Sequence, residues 1–593
     1  MLNRIVFSFI FSIVMLSCFA QAKPVDKSFT QEDWDKLSQP TKDSINKVLL
    51  KKFEEAKRDA ETTDETNANQ IIDDALKNIN STTSLTLNAF PKTQLRDDIT
   101  KLKNVEEFTC TKCRALDLTV LFNQLSSMPK LKRVNVSGGA FKVLPNTIKK
   151  LSALEELNLK DNNFTTLPDS FTYLKKLRVL NLEHNAYLYD DDVFERIKTL
   201  SIEELNFSAS GLLELNDKVG QVKSLKKLDL SVNDIKVLPP SFNQLTNLQQ
   251  LNLSQNFNLD VAKIVASISG FVNLTNLDLS QCLIENLPLD ISKLTALKKL
   301  NLKANRLTAL PLTFGSLVNL EYLDLGYLEM GTRMNKITEI GPSFSGLKKL
   351  KYLNLAGNQL QTLPDGFAGL SDLEELNLNL NKLSDFPGAV TLLKKLKLLD
   401  LGLNNGSSLP ISIGNLSQLE YLNLDGNFFN KPDKKIKTLP AELCQLQNLK
   451  TLSLKDNVIE TLPDCIGDLT KLEKLDLRDN LISSFPTSFS NLKKLQWLDL
   501  KANDFSALPN GFENLSSLKE LNLSMNLKMN FEAERSKLEQ LKQLENLELS
   551  YNNVTREQVE PLMQKLPNLK VRNLDYSKTV LPQPTNRRNA SEH

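Results

Sequence analysis

One frame of apolar residues recurs along most of the chain, and it limits the fold more than any single motif. Leu154, Leu157, Leu159, Asn162, Phe164, Leu167 and Pro168 set it. Leu297, Leu300, Leu302, Asn305, Leu307, Leu310 and Pro311 repeat it, and so do Leu472, Leu475, Leu477, Asn480, Ile482, Phe485 and Pro486. The frame starts at Leu131, Leu154, Leu177, Ile202, Leu225, Leu248, Leu274, Leu297, Leu320 and Leu350. It continues at Leu373, Leu396, Leu419, Leu449, Leu472, Leu495, Leu518, Leu544 and, degraded, at Leu569. Of the eighteen steps, twelve are 23 residues, which leaves no room for chance. A fixed period of this length means one structural unit used many times. No unit can bury its apolar side alone, so neighbours stack into a shared core. The 593 residues would otherwise suggest about four domains; the period makes them one array.

Within the frame, alternation puts two Leu on one side of a short strand and polar residues on the other. The Asn satisfies backbone groups of the adjoining loops, and stacking turns it into a ladder. Pro after Leu keeps the return segment from pairing as a strand or continuing as a helix. These residues resemble the leucine-rich repeat family over residues 82–574, in the 23-residue Leu-Pro class common in exported bacterial proteins. The resemblance implies an α/β solenoid, a horseshoe with a parallel concave sheet and a mixed extended and helical convex side. It also implies about nineteen to twenty repeats and a role as a protein-interaction scaffold.

The ends follow other rules. Arg4 precedes an apolar run from Ile5 to Phe19, and Ala20-Gln21-Ala22 gives a signal-peptidase pattern, so residues 1–22 read as a signal peptide with maturation at Lys23. Met15-Leu16-Ser17-Cys18 loosely resembles a lipobox, and membrane association is expected only through a lipid on Cys18. The protein is therefore expected to be secreted or at the cell surface. Residues 23–81 read as a helical N-terminal cap, with Ile45, Val48, Leu49, Phe53 and Ala56 on one face and Ile71, Ile72, Ala75, Leu76 and Ile79 on another. Ser84 to Leu87 form a first, irregular strand, and Val105, Phe108 and Cys110 open the next repeat. The polar tail 575–593 reads as flexible. Longer repeats carry convex helices: Asp190-Asp191-Asp192 reads as a helix N-terminus more cheaply than as a calcium site, and 261–271, 531–541 and 556–566 read likewise.

Chemistry is sparse. His184 and His593 are the only histidines, and neither a Gly-rich phosphate loop nor a nucleophile elbow is present. No catalytic residue, cofactor or metal is expected. The formal charge of +2 gives no reason to expect nucleic acid as partner. Five cysteines remain after export, which leaves at least one unpaired. Cys110-x-x-Cys113 lacks the partners of a zinc site, and Cys113 and Cys282 fall on the Asn ladder; a Cys444–Cys465 disulfide is left open. Acids and amides between the strand leucines, such as Asp229, Asn252, Asp278 and Asn301, run the whole length and read as a solvated consensus.

The departures from the repeat locate the expected ligand surface. Tyr322, Tyr327, Tyr352, Leu380, Leu398, Leu403 and Tyr421 stand where other repeats carry charged or small polar residues, beside Gly326, Ala356, Gly357, Gly402 and Gly426. Exposed aromatics beside small residues compose a contact surface. Two 30-residue repeats, Leu320 to Leu350 and Leu419 to Leu449, bracket this stretch with insertions expected on one rim. Trp497 is a lone aromatic in the same register. The expected ligand is a protein or peptide. A glycan stacked on the Tyr faces is the second expectation. Changing Tyr322, Tyr352 and Tyr421 to Ser should abolish capture and leave the melting temperature nearly unchanged.

Overall fold

The computed structural model describes residues 65–327, 334–426 and 432–572. The leader, most of the N-terminal cap, the centres of both insertions (328–333 and 427–431) and the tail from 573 lie outside them. Within them, 21 strands form one parallel sheet, from Ser84–Asn88 to Lys570–Arg572, each inner strand paired with those of the repeats before and after it. The fold is the expected α/β solenoid with a parallel sheet on its concave side.

The strand period is built as the letters imply. In the three-residue strands from Glu156–Asn158 to Asn546–Glu548 the central leucine points inward and is buried, as at Leu300, Leu323 and Leu353, while its two neighbours face the concave side. The ladder follows: Asn480 Nδ2 donates to the Leu454 and Leu477 carbonyls (2.9 and 3.1 Å), and its Oδ1 accepts the Ile459 N–H (3.0 Å). After the Leu-Pro, an extended Pro leads into a 3-10 turn, as at Pro168 before Asp169–Tyr173. That turn drives its Phe into the core, and Phe314, Phe344 and Phe367 stack at 6.0 and 6.2 Å along the convex side.

The four expected convex helices are present as Asp190–Ile197, Val261–Ile268, Phe531–Leu538 and Arg556–Lys565. The three aspartates do begin their helix, and two of them also tie repeats together. Asp192 accepts the Leu167 N–H (2.7 Å) and Asp190 accepts the Asn216 N–H (2.6 Å). Glu534 does the same for the Leu508 N–H (3.1 Å). A helix, Leu118–Leu125, escaped the sequence reading; Asp117 caps it through the Thr119 and Val120 N–H groups. The described part of the N-terminal cap is the helix Glu65–Lys77, which buries Ala68, Ile72 and Ala75 and leaves Ile71 exposed. The other expected cap face, Ile45 to Ala56, lies outside the described residues. The last repeat keeps its frame start but shifts its strand by one residue. Leu569 is buried and bonds the Leu566 carbonyl as Leu544 bonds Leu541, so it starts the repeat, but Lys570 pairs with Asn546 and the strand after it runs one residue early.

Cysteine chemistry is also fixed. Cys110–Cys113 and Cys444–Cys465 are disulfides, and Cys282 is free and buried. The Cys282 thiol takes the ladder role, lying 3.2 Å from the Leu253 carbonyl, and burial pushes its pKa up to about 12, so it stays a neutral packing group.

Both insertions begin in the turn after a strand, past Tyr327 and Gly426. The ladder resumes across the first one at Asn335, which donates to the Leu302 and Leu325 carbonyls (3.1 and 3.0 Å). The second ends at Lys435, which forms a buried ion pair with Asp456 (2.8 Å; side chains 11% and 13% exposed). Lys435→Ala leaves that carboxylate buried without its charge partner and should cost roughly 3 kcal/mol. A lower urea midpoint reads this loss. Removing both charges, as Lys435→Met with Asp456→Asn, should restore most of it.

Candidate functional site on the concave face

Parallel pairing converts positions in the sequence into rows across the sheet. The first strand position reads Lys299, Tyr322, Tyr352, Glu375, Leu398, Tyr421 and Thr451 in consecutive repeats. The third reads Asn301, Asp324, Asn354, Asn377, Asp400, Asn423 and Ser453. Four of the seven expected ligand residues, Tyr322, Tyr352, Leu398 and Tyr421, therefore share one row, with Glu375 set between them. The other three, Tyr327, Leu380 and Leu403, stand in the turn that follows the strand, nearer the rim. Leu380 and Leu403 hold φ of +53° and +57° there, where most repeats place Asp, Ala, Gln or Gly. A left-handed backbone disfavours a branched apolar side chain by about 1 kcal/mol. Both leucines nevertheless remain partly exposed.

The Tyr322 and Tyr352 rings stack with centroids 4.4 Å apart and planes 5° apart. Lys299 Nζ covers the other side of Tyr322 at 4.6 Å. Neither side of Tyr322 is thus open to a ligand, and the pair presents ring edges and hydroxyls. The Tyr322 hydroxyl lies 3.4 Å from Asp324, whose Oδ1 accepts the Gly326 N–H and the Asn354 amide (both 2.9 Å). Gly326 and Gly402 have a reason beyond a low surface. A Cβ at Gly326 would meet the Asn354 amide at 2.3 Å, and one at Gly402 would meet the amides of Asn379 and Asn423 at 2.8 and 2.9 Å. Gly357, at φ +71°, lies under the Tyr327 ring.

Covered by these side chains, the acids lose water. Burial raises the pKa of Asp324, Asp400 and Asp425, even though backbone N–H groups and the Ser453 hydroxyl stabilise their charges. Burial likewise raises the three tyrosines, Tyr421 to about 12, so all stay neutral hydroxyl donors near pH 7. Further along, burial lifts Asp476 to about 6 despite Arg478 at 2.8 Å.

A second feature escaped sequence reading. The repeats from Val179 to Asn301 enclose a groove of about 450 Å³ on the same face. Its floor is a hydrogen-bonded carpet in which Asn252 donates to Asp229 (2.9 Å) and Asn301 to Asp278 (2.8 Å). Strand positions that recur along the array line it, so no letter of the sequence marks it. No cluster of His, Cys, Asp and Glu that could hold a metal exists among the described residues, nor any helix long and apolar enough to cross a membrane.

Family profiles match most of the array. A leucine-rich repeat region matches residues 342–454 and 431–588, a leucine rich repeat matches 129–186 and 272–327, and a two-copy form matches 223–271. The chain belongs to the leucine-rich repeat family. No curated protein matches this leucine-rich repeat chain. Among solved structures, it resembles a leucine-rich repeat protein of Leptospira interrogans at 28% identity, over 84% of this chain and 97% of that one, with a TM-score of 0.45. It resembles TLR13 in a complex with ssRNA13 at 22% identity, over 81% and 77%, with a TM-score of 0.57. The Drosophila Toll–Spätzle complex follows at 18%, over 80% and 61%, with a TM-score of 0.54. At these identities the last two show the fold alone.

Proposed function

We propose that this leucine-rich repeat protein is an exported, non-catalytic binding protein that holds a protein or peptide partner on its concave face. One observation carries the reading: a row of half-exposed Tyr322, Tyr352, Leu398 and Tyr421 on a face that elsewhere presents a polar consensus. The fold does not choose the partner, since Toll is solved with Spätzle and TLR13 with ssRNA13. The choice rests on this chain's residues. Glu375, Asp324, Asp400 and Asp425 repel phosphate and argue against nucleic acid. Export rests on the leader pattern and on two disulfides, which persist in oxidising surroundings. Mass spectrometry of the mature N-terminus separates cleavage before Lys23 from a lipid on Cys18.

A glycan is the second reading, and the groove between Val179 and Asn301, with its amide and carboxylate floor, favours it. The tyrosines support it less, because sugars need an open ring side and Tyr322 offers none. Photo-crosslinking from residues 398 and 421 in native surroundings, read beside a polysaccharide array, tests the choice. A protein crosslinked at both positions is the expected result. Array binding with no crosslinked protein would sink the peptide reading.

A further inference from the structure

Charge is distributed unevenly over the concave face. Three positions per repeat face it: the first and third of the strand, and the residue after the second inward apolar residue. Over the eight strands from Arg133–Asn135 to Lys299–Asn301, these positions hold five acids and five bases. Over the five from Thr451–Ser453 to Asn546–Glu548 they hold four of each. Over the five between, Tyr322–Asp324 to Tyr421–Asn423, they hold four acids and no base. The stretch that lost its bases is the stretch that gained its tyrosines.

Some acids on the flanking strands find basic partners on the same face: Glu183 pairs with Lys160 (2.8 Å), Glu204 with Lys227 (2.7 Å) and Asp476 with Arg478 (2.8 Å). Among the described residues, Glu375, Asp324, Asp400 and Asp425 are in no ion pair; Lys303 and Lys455 act on two of them only from the ends of the patch. The row just before the strands does not supply the missing charge. It alternates in sign and neutralises itself, Lys351 with Glu321, Lys397 with Glu374 and Lys450 with Glu420 (2.9, 2.7 and 2.6 Å). Asp324, Asp400 and Asp425 are largely desolvated, while Glu375 is exposed. Desolvated carboxylates without cations are costly, and a cation placed among them recovers that cost.

The geometry points to a basic peptide segment as the occupant of the tyrosine row, its Lys or Arg side chains set between apolar ones. Five strands span roughly 20 Å, the reach of about six extended residues. The bound segment is therefore a short basic run of about six residues, and the lysines at Lys299, Lys303, Lys455 and Lys474 reject bases beyond either end. This rests on the proposal that the face holds a peptide, and deepens it.

A random library of displayed dodecapeptides, selected on the mature chain at low salt, tests the inference. Enrichment of Lys and Arg within a six-residue window is expected. It should disappear on the Glu375→Gln/Asp400→Asn/Asp425→Asn chain and persist on a Glu204→Gln/Asp229→Asn chain. The second chain loses two acids from the balanced flank and controls for nonspecific attraction. For a selected peptide, the triple change should weaken binding at least thirtyfold. Neutral or acidic selectants whose binding is lost on Tyr421→Ser would overturn the basic-peptide inference and leave the peptide reading standing. Basic bias unchanged on the triple variant would also overturn it. No enrichment at all would overturn both.

Discussion

Asn256→Ala should cost about 3 kcal/mol and break the array's unfolding into two transitions. Asn256 is fully buried at the ladder, where its Oδ1 accepts the Ile235 N–H (2.9 Å) and its Nδ2 donates to the Leu230 and Leu253 carbonyls (3.0 and 2.8 Å). The carbonyls are insured, because Asn233 also reaches Leu230 and Cys282 also reaches Leu253. The Ile235 N–H has no such reserve within a buried backbone. An orphaned donor there costs about 1–3 kcal/mol, and each weakened carbonyl and the small void add to it. In a solenoid this loss falls on the contacts between neighbouring repeats, so cooperativity is cut at that point. Hydrogen exchange should quicken first at Ile235 and its neighbours. Asn256→Ser should be milder, since Ser210 already serves on the ladder, its hydroxyl donating to the Ser208 carbonyl (3.1 Å) and accepting the Asn185 N–H (3.5 Å). A single transition with an unchanged midpoint for Asn256→Ala would show that the ladder is not what joins the repeats.

How much could be read from letters follows from where the information lies. The strand, the ladder and the inward leucines repeat every 23 residues, so each is written many times and errors cancel. Features written once were harder. Leu118–Leu125 lies in an early repeat without the Leu-Pro frame, and its apolar residues fit a strand or a helix equally over so short a stretch. In the final repeat Leu569 holds the frame, but the strand after it runs one residue early, and only the pairing of Lys570 with Asn546 reveals it.

The candidate site was legible as a row but not as a surface. Sequence alone puts Tyr322, Tyr352, Leu398 and Tyr421 in one register. It does not say that two rings close against each other, or that Glu375 divides the row. The Gly326 and Gly402 backbones lie beneath amides of neighbouring strands, which is a contact between repeats rather than within one. The groove at Val179 to Asn301 is likewise made by several neighbouring repeats together.

Tyr322→Ser/Tyr352→Ser/Tyr421→Ser should weaken partner capture about a thousandfold. Two anchoring rings at about 2 kcal/mol each give about 4 kcal/mol, and the third adds less than its own share because hot-spot losses are not additive. The sequence alone led to an unchanged melting temperature for this variant, and the fold revises that. All three rings are half-buried, and the Tyr322–Tyr352 stack contributes about 1 kcal/mol beyond the area it covers. Against this loss, water regains access to Asp324, whose burial is unfavourable to its charge. A moderate fall in midpoint is therefore expected, and capture has to be measured on protein shown to be folded at the assay temperature. Tyr173, Tyr187 and Tyr189 provide the control, being 63%, 66% and 69% exposed and outside the sheet. Changing those three to Ser removes the same number of rings and should leave capture intact. If the folded first variant captures as well as the parent chain, the partner does not sit on the tyrosine row. If both variants lose capture, tyrosine content rather than this row governs it.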